Sequence, residues 1–268
     1  MTNSPTDFNN QPLSIGFIGC GKIARPMIMS LARRFEACRI VVSVRSESVS
    51  RMLEQQIDQV SVAENQAILD QCDIIVLCVL ADTARGILPT LKFDTKHQLI
   101  SVMADISLDE IHQLTAPAAF PCVTVPLPFI ETGGCPLPVF PESPLLEQLF
   151  GGENTIIPQR AENAMGPHFA ATAILSTVMA ELDLVSEWLA GYTQDNVASE
   201  RYVASLLSGY LGAITKDGAG RFKEAMDDLS TEGGLNTQLL THNRNGGMFA
   251  HLEKGLQDLG KRVAPDSG

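Results

Sequence analysis

No uninterrupted apolar run in this chain approaches the eighteen or so residues that a membrane span requires. The longest, Ile74 to Ala81, suits a buried strand, so no membrane partner is expected. Basic charge is also scarce: 19 Lys and Arg against 31 Asp and Glu leave a net charge of −12. Nucleic acids and anionic membranes need a basic footprint, and this balance argues against both. Cysteine pairs at metal or redox spacing are missing too. Cys20, Cys38, Cys72, Cys78, Cys122 and Cys135 all fall in the first half, with no C-x-x-C and no histidine cluster. They read as buried cytosolic thiols, and no metal site is expected. The opening stretch, MTNSPTDFNNQP, has neither a basic nor an apolar signal segment. Residues 1–12 read as a disordered lead, and the expected location is cytoplasmic.

What is present is the composition of a globular protein, with 45% hydrophobic and 19% charged residues. A length of 268 residues allows one large domain or two ordinary ones. Short β-rich runs at LSIGFIG (13–19) and RIVVSV (39–44) flank a helical stretch of about twenty residues, which is a βαβ unit. The alternation continues: ENQAILDQ as helix, DIIVLCVL as a buried strand, ADTARGILPTL opening a helix, HQLISVMA as strand. SLDEIHQL then reads as a short helix, with Ser107 as N-cap and Glu110 at capping-box spacing, and CVTVPLP as a further strand. Strands alternating with helices imply an α/β Rossmann fold, a doubly wound parallel sheet. The segment TGGCPLPVFPESP is dense in Gly and Pro, and ENTIIPQ closes the first half. From about Ala161 the apolar residues recur at three- and four-residue spacing, which predicts an all-α C-terminal domain. The expected division is residues 13–158 for the dinucleotide domain and 159–268 for the helical one.

Gly19-Cys20-Gly21-Lys22-Ile23-Ala24 fits G-x-G-x-x-G/A between a strand and a helix. In that pattern the first glycine makes the tight turn and the second lets backbone approach a pyrophosphate. The third position, small Ala24, lets the new helix pack on the sheet. Amide N–H groups at the helix start then face the anion. At the end of the second strand an NAD site wants a carboxylate, yet the chain reads Val44-Arg45-Ser46. Arg45 and Ser46 suit a 2′-phosphate, so NADP is expected over NAD. Glu47 opposes this if its charge points inward.

These segments resemble the pyrroline-5-carboxylate reductase family, with weaker similarity to the 6-phosphogluconate and β-hydroxyacid dehydrogenases. The N-terminal GFIGCGKIA and VRS suit either group, and the C-terminal half discriminates. Asn163-Ala164-Met165-Gly166-Pro167 resembles the reductases' SGSGP, and LSTEGGLNT (229–237) resembles their TSPGGTT loop. A hydroxyacid dehydrogenase would need a lysine in a G-x-x-x-K-x-x-x-N helix, and neither Lys216 nor Lys223 has that setting. The resemblance runs from residue 13 to about 262. It implies a helical dimerisation domain, a homodimer, and an active site between the cofactor and the glycine loop.

The resemblance also implies roles for particular positions. Val79, Leu80, Ala104 and Pro126 fall where the family contacts the cofactor. Glu232, Gly233, Gly234 and Asn236 fall in the substrate loop, where backbone N–H groups and hydroxyls hold a carboxylate. Asn236 and Thr237 are the loop's candidate catalytic groups. His168 is a candidate proton donor, against the plainer reading of a helix-start histidine bonded to backbone. Asp105 replaces a glycine beside the cofactor, either as a contact to it or as a plain loop residue. Glu232 stands where the family has proline, and Leu235 and Asn236 where it has threonines. A second negative charge about 4 Å from a bound carboxylate costs roughly 4 kcal/mol at an effective dielectric of 20, so either the Glu232 side chain turns to solvent or the true substrate lacks that carboxylate, and the second is favoured. The implied activity is therefore NADPH-dependent hydride transfer to the C=N bond of a small, cyclic imine other than pyrroline-5-carboxylate. A catalytically silent dinucleotide-binding protein and a carbonyl reductase acting on hydroxyacids stay open as alternatives.

Overall fold

A computed structural model describes residues 13–44, 47–214 and 218–263. Arg45 and Ser46, the expected 2′-phosphate contacts, lie outside the described residues, as do Lys216 and the first twelve positions.

The chain opens β1 (Ser14–Ile18), α1 (Ala24–Arg34), β2 (Arg39–Ser43), α2 (Glu47–Gln56), β3 (Val60–Ala63), α3 (Asn65–Gln71), β4 (Ile74–Leu77) and α4 (Ala81–Ile87). It continues with β5 (Gln98–Ser101), α5 (Leu108–Thr115), β6 (Cys122–Thr124), β7 (Pro136–Phe140), α6 (Pro144–Phe150) and β8 (Thr155–Pro158). Among the described residues these strands form one sheet in the order β3-β2-β1-β4-β5-β6-β7-β8. Every ladder is parallel except β6 against β7. This is the doubly wound Rossmann arrangement, and the strand order reverses between β1 and β4.

Period-two side-chain alternation divides the core between the two faces of the sheet. Ile15 and Phe17 join Met27, Ile28 and Leu31 of α1 on one face. Ile18, Val41 and Ile75 join Ile68 and Leu69 of α3 on the other. Gly16 is required on that second face, because a Cβ there would collide with Ile68 Cγ2. Ser107 caps α5 by accepting the Glu110 backbone N–H at 3.2 Å, as its spacing predicts.

The Gly/Pro-dense segment, which the alternation leaves out of the sheet, contributes β7. Its prolines, Pro136 and Pro138, sit two apart, so their missing N–H groups fall on one edge of the strand. Leu137 and Val139 meanwhile alternate into the core.

From Met165 the chain is helical: α7 (Met165–Ala171), α8 (Ile174–Thr193), α9 (Asn196–Ala213), α10 (Arg221–Leu229), α11 (Leu235–Asn245) and α12 (Met248–Val263). The compact units are residues 13–169 with 260–263, and residues 170–259. The division falls past residue 158 because the chain just beyond β8 still packs on the sheet. Glu162 Oε1 accepts the Leu108 N–H at 2.8 Å, and Met165 and Phe169 join the second core.

In the helical unit α8 and α9 form an antiparallel hairpin through Gln194, which is left-handed at φ 59, and Asp195, which caps α9. No residue of α8 is buried. The stretch Glu162–Thr193 is long and apolar enough by composition to cross a membrane. Its polar interruptions conceal this from a search for unbroken runs.

Candidate functional site

The turn from β1 into α1 lies at the switch point of the sheet. Gly19 has φ +97, and a side chain there would strike the Cys78 carbonyl and come within 2.7 Å of Val79 Cγ1. Only glycine meets both conditions. Its N–H donates to Ser43 Oγ at 3.0 Å, and Ser50 Oγ donates to the Ser43 carbonyl at 2.7 Å. The ends of β1 and β2 and the face of α2 are thereby tied together. Gly21 differs from Gly19: nothing lies within 4 Å of where its Cβ would stand. Backbone there is open to an approaching group. No side chain caps α1 at Ile23 among the described residues, Lys22 is exposed, and Ala24 is buried against the first core. An open glycine before an uncapped helix start fits a pyrophosphate. Glu47 is exposed in the first turn of α2.

The remaining expected cofactor residues also stand at the carboxyl ends of the parallel strands. Val79 is half-buried against Gly19, whereas Leu80 is 80% exposed at the start of α4. A leucine so exposed at a switch point offers an apolar surface to a ring. Pro126 is buried just past β6. Thr124 Oγ1, two residues earlier, is buried with no hydrogen-bond partner among the described residues. Ala104 lines a cavity of about 420 Å³ with Met103, Asp105, Glu162, Met165 and Gly166. The β5–α5 turn and the Asn163–Pro167 motif therefore share one hollow.

Asp105 is left-handed at φ 61, a conformation that aspartate tolerates better than most residues. Its carbonyl accepts from Arg85, which also forks onto Glu110, and its carboxylate lies 3.8 Å from Arg262. His168 Nδ1 contacts the Ala164 carbonyl at 2.7 Å, one helical turn back. That leaves Nε2 as the group able to face a ligand.

The glycine loop lies in the helical unit. Gly233 has φ +72, Gly234 caps α11, and Glu232 and Asn236 are exposed. The side-chain donors that the resemblance assigns to a substrate are turned into the loop itself. Thr237 Oγ1 donates to the Thr231 carbonyl at 2.8 Å, and Asn236 Nδ2 donates to the Leu229 carbonyl at 3.4 Å. The sequence reading also missed a hollow behind this loop, lined by Tyr210, Phe222, Met226, Leu229, Asn236 and Leu240. Its one advance signal was Tyr210, which at helical spacing reads as core.

Among the described residues no group of three His, Cys, Asp or Glu could hold a metal. All six cysteines are free, and burial pushes each thiol up, Cys72 and Cys122 to about 11. Neutral thiols do not act as nucleophiles.

Residues 14–105 match the family model described as NADP oxidoreductase, coenzyme F420-dependent. No curated protein matches the chain. Among solved structures, pyrroline-5-carboxylate reductase from Streptococcus pyogenes superposes with a TM-score of 0.77 at 16% identity, covering 93% of this chain and 97% of that one. Pyrroline carboxylate reductase from Plasmodium falciparum with NADP bound gives 0.78 at 14% identity, over 94% and 97%. An imine reductase from Aspergillus terreus in complex with NADPH4 and dibenz[c,e]azepine gives 0.53 at 14%, over 96% and 98%. The chain has the fold of the pyrroline-5-carboxylate reductases along nearly its whole length, and residues 14–105 match a family model of NADP oxidoreductases.

Proposed function

We propose that this protein is an NADPH-dependent reductase acting on the C=N bond of a small cyclic imine other than pyrroline-5-carboxylate. The observation that carries the reading is the β1–α1 turn, where Gly19 is locked and Gly21 is open at the switch point of a Rossmann sheet. Bound NADPH would supply the hydride to the imine carbon, the C=N π electrons passing to a protonated nitrogen to give the amine and NADP⁺.

The chain's own part is to bind, orient and exclude water. Gly19, Gly21, Lys22, Ile23 and Ala24 would hold the pyrophosphate, and Arg45 and Ser46 the 2′-phosphate. Val79 and Leu80 offer apolar contact, while Ala104 and Pro126 would border the nicotinamide. Support comes from the fold shared with NADP-bound pyrroline carboxylate reductase and with an imine reductase.

The partner in this reading is a second copy of the chain, docked through α8 and α9. Leu184, Trp188, Tyr192, Tyr202 and Leu206 are all more than half exposed on these two helices. A monomer in water rarely leaves so much apolar surface open.

Following NADPH absorbance over a panel of cyclic imines and carbonyls tests the activity. Oxidation with at least one imine is expected, and binding of NADPH without turnover on any member would favour the catalytically silent alternative. Arg45→Ala should raise the KM for NADPH about tenfold and leave that for NADH unchanged.

A further inference from the structure

Glycine at position 19 permits the turn from β1 into α1 without holding it there. A residue that lacks Cβ reaches φ +97 and many other conformations with similar ease, so another contact must select one of them. That contact is a side chain. The paired register of β1 and β2 ends at Phe17 opposite Val42. Just beyond it the buried Gly19 N–H donates to the hydroxyl of Ser43 at 3.0 Å, where a strand would have used a ladder carbonyl.

Ser43 is 1% exposed, and Ser50, on the core-facing side of α2 with Leu53, is 0% exposed. A hydroxyl is costly to bury unless it is hydrogen-bonded, and alanine would fill either place without that cost. Ser50 Oγ donates to the Ser43 carbonyl at 2.7 Å and is also a hydrogen-bond partner of the Cys20 side chain, inside the glycine motif. Two serines from β2 and α2 thus hold Gly19 and Cys20. The next residues are left open. Among the described residues the N–H groups of Gly21, Lys22 and Ile23 have no acceptor, and nothing lies within 4 Å of a Cβ built at Gly21. The Gly19 N–H is already spent, so an anion meets the turn from Gly21 onward.

We infer that Ser43 is a positioning residue for the cofactor: its buried hydroxyl fixes the Gly19 turn so that the amides from Gly21 to Ile23 are set for a diphosphate, with Ser50 bracing it from α2. The inference rests on the nucleotide reading of this turn and adds to it two buried residues that act through Gly19. Without the hydroxyl the Gly19 N–H is left unpaired, and the turn has to be ordered when the nucleotide binds. NADPH and NADH carry the same diphosphate, so both are weakened alike. Arg45 differs, since its loss is expected to weaken NADPH only.

The test is calorimetric titration of the full-length protein, run well below the melting transition of each variant. Ser43→Ala should weaken NADPH and NADH by the same factor, about fivefold to tenfold. In amide NMR spectra of the nucleotide-free variant, the Gly19 resonance should move upfield and exchange faster with solvent while the other β1 amides stay protected. Ser50→Ala, which keeps the Ser43 hydroxyl, should weaken both nucleotides about twofold to threefold. Should Ser43→Ala fail to fold, Ser50→Ala decides by itself, and wild-type affinity in it overturns the inference.

A Ser43→Ala protein that melts lower yet binds both nucleotides as the wild type does, or whose Gly19 amide is unmoved, reduces Ser43 to a structural role and overturns the inference. Weakening of NADPH without NADH also overturns it, by placing Ser43 with the 2′-phosphate contacts. In each of these outcomes the wild type still binds, and the nucleotide reading stands. A wild type that binds neither nucleotide removes that reading and the inference with it.

Discussion

Gly19 and Gly21 differ by two positions and by the work each does. At Gly19 a side chain meets both a left-handed φ and the Cys78 backbone just past β4. Gly19→Ala should therefore cost about 2–3 kcal/mol of stability, visible in thermal melts before any ligand is added. The space at Gly21 is open, so Gly21→Ala should change stability by less than about 1 kcal/mol. Its new methyl group would stand where a pyrophosphate approaches, however, and NADPH affinity should fall about tenfold or more by calorimetry. A Gly21→Ala variant with unaltered affinity would move the phosphates elsewhere. Thr124 offers a second contrast. Its buried Oγ1 has no partner among the described residues, so Thr124→Val should raise stability by about 1 kcal/mol in denaturant titrations. A loss of stability would mean that the hydroxyl is satisfied in solution.

At the scale of elements, α8 and α9 make the sharpest demand. Leu184 is 69% and Trp188 63% exposed on a helix that buries nothing. A Leu184→Asp, Trp188→Glu double variant should run as a monomer in light scattering at micromolar concentration, where the wild type is expected to run as a dimer. A monomeric wild type would leave that face without its proposed partner.

The same elements show what was legible in the sequence. β1, the glycine turn and α1 were, because a motif with fixed spacing sits between a strand pattern and a helix pattern. The α5 cap was, because Ser107 and Glu110 have one local job. β7 was not: its prolines are turn formers in isolation, and only pairing on both sides makes PLPVF a strand. The inward hydrogen bonds of Asn236 and Thr237 were not legible either. Their acceptors are the carbonyls of Leu229 and Thr231, and sequence similarity to a substrate loop carries no record of where such donors point.

Across the whole molecule the buried thiols set a limit at alkaline pH. Burial raises Cys72 and Cys122 from an ordinary 9.0 to about 11. In the folded protein these thiols keep protons that the unfolded chain gives up. Their contribution is thus intact below about pH 9 and declines as pH rises toward 11, by up to about 3 kcal/mol for each thiol. Melting temperature should fall over that interval, and a Cys72→Ala, Cys122→Ala variant should show a shallower decline.

Cofactor recognition and the proposed reduction both depend on a dinucleotide bound at the end of β1. The most direct test is a calorimetric titration of the full-length protein with NADPH and, separately, NADH. One site per chain is expected for NADPH, at least about tenfold tighter than for NADH, with the Gly21→Ala variant losing that affinity while melting like the wild type. Binding of neither nucleotide, or a Gly21→Ala variant that binds as the wild type does, would contradict it.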